Sequence, residues 1–233
     1  MTERVYNAEQ LSGLPEHGVE ALKIRALFNA YGGSYDFCRF FRQGDTFLAG
    51  LDGSFVISEG AAPDWDELAG FLNMHGFTDI FCSERAGEKL QNTCNAEFSR
   101  VNLMEFTALN GSGAAIPECS PSEAWKIIST RFPIEFEPWY LDIYHRVRHG
   151  VSRCVSDGRA ALVIQHSIGG ETLISPVAVL PEMEHKGCAG GLIRTVCASV
   201  GGTIQAICEE SLTGFYEKCG FTRRGSKFCA VRN

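Results

Sequence analysis

The chain has no excess of basic residues: 21 Lys and Arg stand against 28 Asp and Glu, a formal charge of −7. A nucleic-acid binder carries a basic stripe, so no nucleic-acid partner is expected. The acidic balance suits a neutral or cationic small substrate better than an acidic one. No apolar run approaches the ~20 residues that a membrane span needs. The opening MTERVYNAEQ has no apolar core of the signal-peptide kind. The ten cysteines include no Cys-x-x-Cys pair and no run of close spacings. That speaks against a disulfide framework and against a zinc cluster, so no metal is expected. Cys82, Cys154, Cys197, Cys208 and Cys229 lie inside apolar segments, the usage of buried thiols in a reducing cytoplasm. What is present is ordinary for a globular chain: 45% apolar and 21% charged residues, in a length of 233 that holds one large domain or two small ones.

The most informative stretch is 171–221. Glu171 to Leu180 is rich in Ile, Val and Leu and is ended by Pro181, which predicts a strand. The turn Glu184-His185-Lys186-Gly187-Cys188-Ala189-Gly190 follows. A helix is then expected with Ala189, Leu192, Ile193, Val196 and Val200 on one face, stopped by Gly201-Gly202. Thr203–Cys208 reads as a short strand. Ser211 is placed to cap a last helix with Leu212, Phe215, Tyr216 and Cys219 on one stripe, closed by Gly220. A strand that feeds a glycine turn opening a helix points backbone N–H groups, and the positive end of the helix dipole, at whatever lies in front. A pyrophosphate fits such a place; simple packing of a turn also explains it.

Phe215-Tyr216-Glu217-Lys218-Cys219-Gly220-Phe221 resembles the FYEKxGF signature of the GCN5-related N-acetyltransferases (GNAT). Gly187-Cys188-Ala189 resembles the end of that family's Q/R-x-x-G-x-G/A loop, and Val179-Leu180-Pro181-Glu182 its V-x-P-E lead-in. Order and separation match, over roughly residues 121–231. Glu184 stands where the family has Gln or Arg; a carboxylate near a pyrophosphate is unfavourable, and His185 and Lys186 bring compensating charge. The resemblance implies an α/β (α+β) GNAT-like mixed sheet flanked by helices. It also implies acetyl-CoA as co-substrate, with Glu184, His185, Lys186, Gly187, Cys188, Ala189 and Gly190 around its pyrophosphate. Backbone groups of Val177, Ala178 and Val179 would pair with the pantetheine arm like an added strand.

Earlier in the chain, 14–31 reads as a helix with Val19, Leu22, Ala26, Leu27 and Ala30 inward. Three strand-like runs, Phe37–Arg42, Thr46–Leu51 and Ser54–Ser58, are separated by Gly44-Asp45 and Asp52-Gly53. A helix follows Pro63, then a strand at Asp79–Cys82, a helix at Glu84–Thr93 and a long strand at Glu97–Leu109. Residues Asn110–Pro121 have linker composition. Helices are expected from Ser122 to about Arg131 and over Trp139–Arg148, with a loop at Phe132–Pro138, then a hairpin around Asp157-Gly158. The element order of the first half nearly repeats in the second. A tandem arrangement is therefore expected: a degenerate GNAT-like half at 1–110 and an acetyltransferase domain at 121–233. The first half should not bind the cofactor, because Glu59, Asp64, Asp66 and Glu67 crowd its helix start and Asp64 with Glu67 forms a capping pair. After the last helix only Thr222–Asn233 remain, room for one interrupted strand or two short ones. The strand Phe98–Leu109 is expected to lie against the second half's sheet near Lys227–Val231.

Tyr216 is the catalytic candidate. The resemblance implies a general acid that protonates the departing thiolate; its other reading is a core residue beside Leu212 and Phe215. Glu171, His166 and His145 are open candidates for a base. Cys188, at a helix start, is read as filling an apolar slot, since the family's chemistry is direct transfer. The mix of acids and aromatics over Glu135–Asp142 could hold a cationic amine. The expected activity is acetyl transfer to a primary amine of a small molecule or an amino terminus, by a cytoplasmic monomer or homodimer with no membrane partner. The alternative is a non-enzymatic acyl-CoA-binding or regulatory module of the same fold.

Overall fold

The computed structural model describes residues 1–108 and 111–232, so Leu109 and Asn110, at the junction of the expected long strand and linker, lie outside the described residues. In chain order its first elements are β1 (Glu3–Val5), α1 (Val19–Tyr31), β2 (Cys38–Gln43), β3 (Thr46–Leu51), β4 (Ser54–Ser58), α2 (Trp65–His75), β5 (Asp79–Ser83), α3 (Glu84–Leu90) and β6 (Ala96–Ala108). Then come α4 (Pro121–Ile128), α5 (Phe136–Arg148), β7 (Arg153–Ser156), β8 (Ala160–Ile168), β9 (Glu171–Val179), α6 (Cys188–Ser199), β10 (Gly202–Cys208), α7 (Thr213–Lys218) and β11 (Thr222–Arg232). Two compact units result: Met1–Asn102 with the segment from Gly225 onward, and Leu103–Arg224.

In the first unit the turn chemistry sets the register. Asp52 (φ 49°) and Gly53 (φ 88°) are both left-handed, as a two-residue turn matching strand twist requires, and they join β3 to β4. β1 to β4 are antiparallel neighbours, and α2 crosses from β4 to the parallel β5. Val19, Leu22, Ala26, Leu27 and Ala30 of α1 are buried, as their spacing predicts. Leu68, Ala69 and Leu72 of α2 join a core that also holds Phe228 and Ala230 of β11. β11 pairs antiparallel with β5 from Lys227↔Ser83 to Val231↔Asp79. Gly87 is required there: a Cβ would lie 2.3 Å from the Phe228 ring. The start of β6 lies beside the same strand, with the Ser99 hydroxyl donating to the Cys229 carbonyl at 3.1 Å and Phe98 meeting Phe228 edge-on.

The second unit repeats this order. β7, β8 and β9 are antiparallel neighbours, and α6 crosses from β9 to the parallel β10. One sheet face packs Leu162, Ile164, Ile174, Ile204 and Ala206 against α6 and α7, together with Met104 from β6. The other packs Ala161, Val163 and Ala178 against Ile127, Ile128 and Ile143 of α4 and α5. Ser120 and Glu123 cap α4 reciprocally. The stretch of linker composition is tied to this unit: the Ser112 N–H donates to the Ala198 carbonyl (2.8 Å) and the Cys119 N–H to that of Cys154 (3.0 Å).

Three local expectations are corrected. α5 begins at Phe136, so Pro138 lies inside a helix and not in a loop; the first-turn N–H groups have no intrahelical acceptor, and a proline there loses nothing. Ser211 does not cap α7. It sits in a 3-10 turn, Glu210–Leu212, and no side chain caps the helix that follows. The C-terminal run forms one strand, and from Gly225 onward it belongs to the unit built from the start of the chain. Among the described residues no helix is long and apolar enough to cross a membrane.

Candidate functional site

The second unit's sheet opens where β9 meets β10. Their parallel pairing runs from Thr203↔Glu171 to Ala206↔Ile174, yet β9 continues to Val179. Two features explain the parting. The register of β9 on β8 shifts between Leu162↔Val177 and Ile164↔Ile174, an extra residue that bends the strand. Pro176 lies in that bulge and has no N–H to donate. Val177, Ala178 and Val179 stay paired on one side, with Leu162, Ala161 and Ala160 of β8. Their other edge has no pairing with β10 among the described residues.

Beyond the open edge, Pro181–Met183 forms a 3-10 turn, and Glu184, His185, Lys186 and Gly187 are exposed. Gly187 is the N-cap of α6, at φ 78° and ψ 7°. No side chain caps this helix and no acid stands in its first turn. The N–H groups of Cys188, Ala189 and Gly190 therefore belong to the helix end that has no intrahelical acceptor. Cys188 and Gly190 are buried and Ala189 half-buried. Gly190 sits tight against Cys219: a Cβ there would lie 3.4 Å from the Cys219 sulfur. This contact brings the end of α7 to the start of α6.

A cavity of about 300 Å³ adjoins the turn, lined among others by Lys186, Gly187, Cys188, Asp157 and Arg159. Asp157 Oδ1 accepts the backbone N–H groups of Arg159 and Ala160 (both 2.9 Å), and its Oδ2 accepts Nε–H and Nη2–H of the Arg159 guanidinium (3.2 and 2.8 Å). Burial alone raises this carboxyl, but those hydrogen bonds outweigh it and hold the group below the usual range. Sequence reasoning placed the Asp157-Gly158 turn and did not see Arg159; which loop faces the turn depends on strand order, and no local signal carries that.

Tyr216 lies on α7, buried among Cys188, Cys208, Cys219 and Phe221. Its ring meets Phe215 and Phe221 edge-on at 5.2 and 5.5 Å. Burial, with the nearby Cys208 and Cys219 thiols, pushes its phenol well above the ordinary range. The open candidates for a base lie elsewhere. Glu171 and His166 are buried at the opposite end of β9, opposite Ile168 and Leu173 in register, and six residues of strand from Glu171 to Val177 span roughly 20 Å. His145 stacks on His149 along α5, ring centroids 4.4 Å apart. On the same helix Phe136, Tyr140 and Tyr144 form a ladder at 5.3 and 5.6 Å, with Phe136 and Tyr144 exposed. Among the described residues no group of three or more His, Cys, Asp or Glu gathers as a metal site.

The equivalent place in the first unit is closed from within. The Gly60 N–H donates to the Thr46 hydroxyl (3.0 Å), Ala61 to the Asp45 carboxylate (2.8 Å) and Asp64 to the Gln43 side chain (2.8 Å). Asp64 caps α2 by accepting the Glu67 N–H at 3.0 Å. A Cβ at Gly60 would overlap the Asp45 carboxylate, so the loop is also sterically filled.

The chain has the fold of the GNAT acetyltransferases. A GCN5-related N-acetyltransferase from Kribbella flavida is similar over 92% of this chain and 94% of its own, with TM-score 0.62 and 13% identity. One from Sphaerobacter thermophilus is similar over 98% and 94%, with TM-score 0.57 and 12% identity. A tandem GNAT protein from the clavulanic acid biosynthesis pathway covers 99% of this chain and 98% of its own, with TM-score 0.50 and 10% identity. No protein-family model and no curated protein matches the chain.

Proposed function

We propose that this chain is an acetyl-CoA-dependent N-acetyltransferase that acts by direct transfer to a primary amine of a small molecule or an amino terminus. The observation that carries the reading is the uncapped start of α6, with left-handed Gly187, beside the unpaired edge of Val177–Val179 in a GNAT fold. Glu184, His185, Lys186, Gly187, Cys188, Ala189 and Gly190 would surround the pyrophosphate, mostly through backbone N–H groups. The β9 edge would accept the pantetheine arm as a further strand, and a backbone N–H there would stabilise the oxyanion. The amine nitrogen forms its bond to the thioester carbon and gives up a proton to solvent water, the C–S bond breaks, and sulfur takes the electron pair and then a proton. Tyr216 is the donor for that sulfur. The acids and exposed aromatics at the start of α5 suit a neutral or cationic acceptor. We place the protein in the cytoplasm, as a monomer or homodimer without nucleic acid or membrane partners.

The second reading is a non-enzymatic acyl-CoA-binding or regulatory module. Glu184 in the turn and the distance of Glu171 and His166 from the open edge favour it. Steady-state assay of acetyl transfer across an amine panel separates the two: turnover with any amine supports the enzyme, and tight CoA binding without turnover supports the module.

One CoA is expected per chain, because the first unit's loop amides already have acceptors. Calorimetric titration should give a stoichiometry near one, and a value near two would sink this reading of the first unit. Gly187→Asn is expected to fold, since Asn tolerates the left-handed conformation and a Cβ there meets nothing within 4 Å. Its side chain occupies the space in front of the helix, so CoA affinity should fall about tenfold or more. Unchanged affinity would mean that no phosphate approaches this turn.

A further inference from the structure

This inference rests on the acyl-CoA reading and concerns the nucleotide end of that ligand. The cavity beside the turn extends past the residues assigned to the pyrophosphate and pantetheine. One wall is the β7–β8 hairpin, with Asp157 and Arg159; the other is the first turns of α6, with Gly191, Leu192 and Thr195. Lys186 is part of its lining.

The groove's charge is cationic and arranged. Arg159 is more than half exposed, but it is not loose: Oδ2 of Asp157 accepts from one edge of its guanidinium, Nε and Nη2, while Oδ1 accepts two backbone N–H groups. That pair uses two of the five N–H donors, and a guanidinium held on one side presents the others in a fixed fork. With Asp157 neutralised by Arg159, Lys186 leaves the lining net positive by one charge. The loop itself supplies no such surplus, since exposed Glu182 and Glu184 outnumber Lys186. The hairpin, whose own charge is balanced, adds the remaining N–H donors of a fixed guanidinium beside Lys186. A group suited to such donors is a phosphomonoester, which carries close to two negative charges and three acceptor oxygens at neutral pH.

We propose that Arg159, positioned by Asp157 and joined by Lys186, reads the phosphomonoester on the ribose of the acyl carrier, so that the protein selects the 3′-phosphorylated carrier over its dephosphorylated form. Arg159 then acts as a specificity residue and Asp157 as a positioning residue.

The test is calorimetric titration of the full chain with CoA and with dephospho-CoA, at one fixed ionic strength. The native protein should bind CoA about tenfold or more tightly than dephospho-CoA. Arg159→Gln should weaken CoA until the ratio approaches one, and leave dephospho-CoA within about twofold of its native value. Arg159→Lys should keep part of the ratio, because a point charge replaces the fork. Asp157→Asn should lower the ratio without touching dephospho-CoA. Equal native affinity for both ligands, or equal weakening of both by Arg159→Gln, overturns this inference and leaves the acyl-CoA reading standing. Binding of neither ligand overturns both.

Discussion

A chain beginning at Ser120 should not fold cooperatively. Such a chain keeps both sequence motifs and every expected CoA contact, but it lacks β6. Met104 of β6 is fully buried in the second unit's core, Phe106 meets Phe221 with ring centroids 5.7 Å apart, and Glu105 accepts the Arg224 guanidinium at 3.0 Å. Loss of a buried Met costs about 2–5 kcal/mol and of a Phe about 3–5. A domain's whole stability is about 5–15 kcal/mol. The same cut strands Phe228 and Ala230, whose core lies among Phe41, Leu48, Ile80 and Cys82. A thermal melt followed by circular dichroism should show a broad or absent transition, with most of the protein insoluble. A chain of Leu103–Arg224 restores Met104 and Phe106 and should regain a sharp transition. If residues 120–233 alone are soluble, melt sharply and bind CoA as the full chain does, the second unit's core does not depend on β6 and this expectation is wrong.

The reason this architecture was only half legible lies in range. Asp52-Gly53 and Asp157-Gly158 announce hairpins because a tight turn is a local event. The stripe of Leu192, Ile193 and Val196 announces α6 because helix periodicity is local too. The order of strand, turn, helix and strand from β9 to β10 was legible through the glycine turn between them. What escaped is non-local. Nothing within Lys227–Val231 says that its partner is Asp79–Ser83, almost 150 positions earlier in a 233-residue chain. Arg159 escaped for the same reason, since a turn residue acquires a role only from what strand order sets opposite it. Pro138 and Ser211 misled in the other direction. Each carries a strong local preference, and each sits where a neighbouring turn or first-turn geometry decides the outcome.

Tyr216→Phe is expected to lower turnover with a verified amine by about tenfold or more, roughly 1.4 kcal/mol of transition-state stabilisation. The KM for acetyl-CoA should stay within about twofold. The hydroxyl is one atom in a buried ring site, and the Phe ring keeps the contacts to Phe215 and Phe221, so the melting temperature should hardly move. The direction of the phenol's shift refines the role. An ordinary phenol titrates near 10 and a thiol near 8.5. Raised further by burial, Tyr216 stays protonated throughout the working range and is a weaker acid than the thiol that the proposed reaction releases. Under the proposed function its role is therefore that of a hydrogen-bond donor to sulfur as charge develops. The pH profile of the native protein should show no falling limb from Tyr216 below about pH 10. If turnover is unchanged in Tyr216→Phe, the residue is part of the core and nothing more.

The return of β11 to the first unit has a consequence for how the chain is made. A ribosome emits residues in order, and β5 is complete long before Lys227 emerges. Until then its flank has no β11, and Phe228 is missing from the space above Gly87. The first unit cannot finish while it is being synthesised; it must wait, partly assembled, through the whole translation of the second. Shuffling by recombination is restricted in the same way. No single crossover exchanges one unit for a homologous one, because the first unit is encoded on both sides of the second.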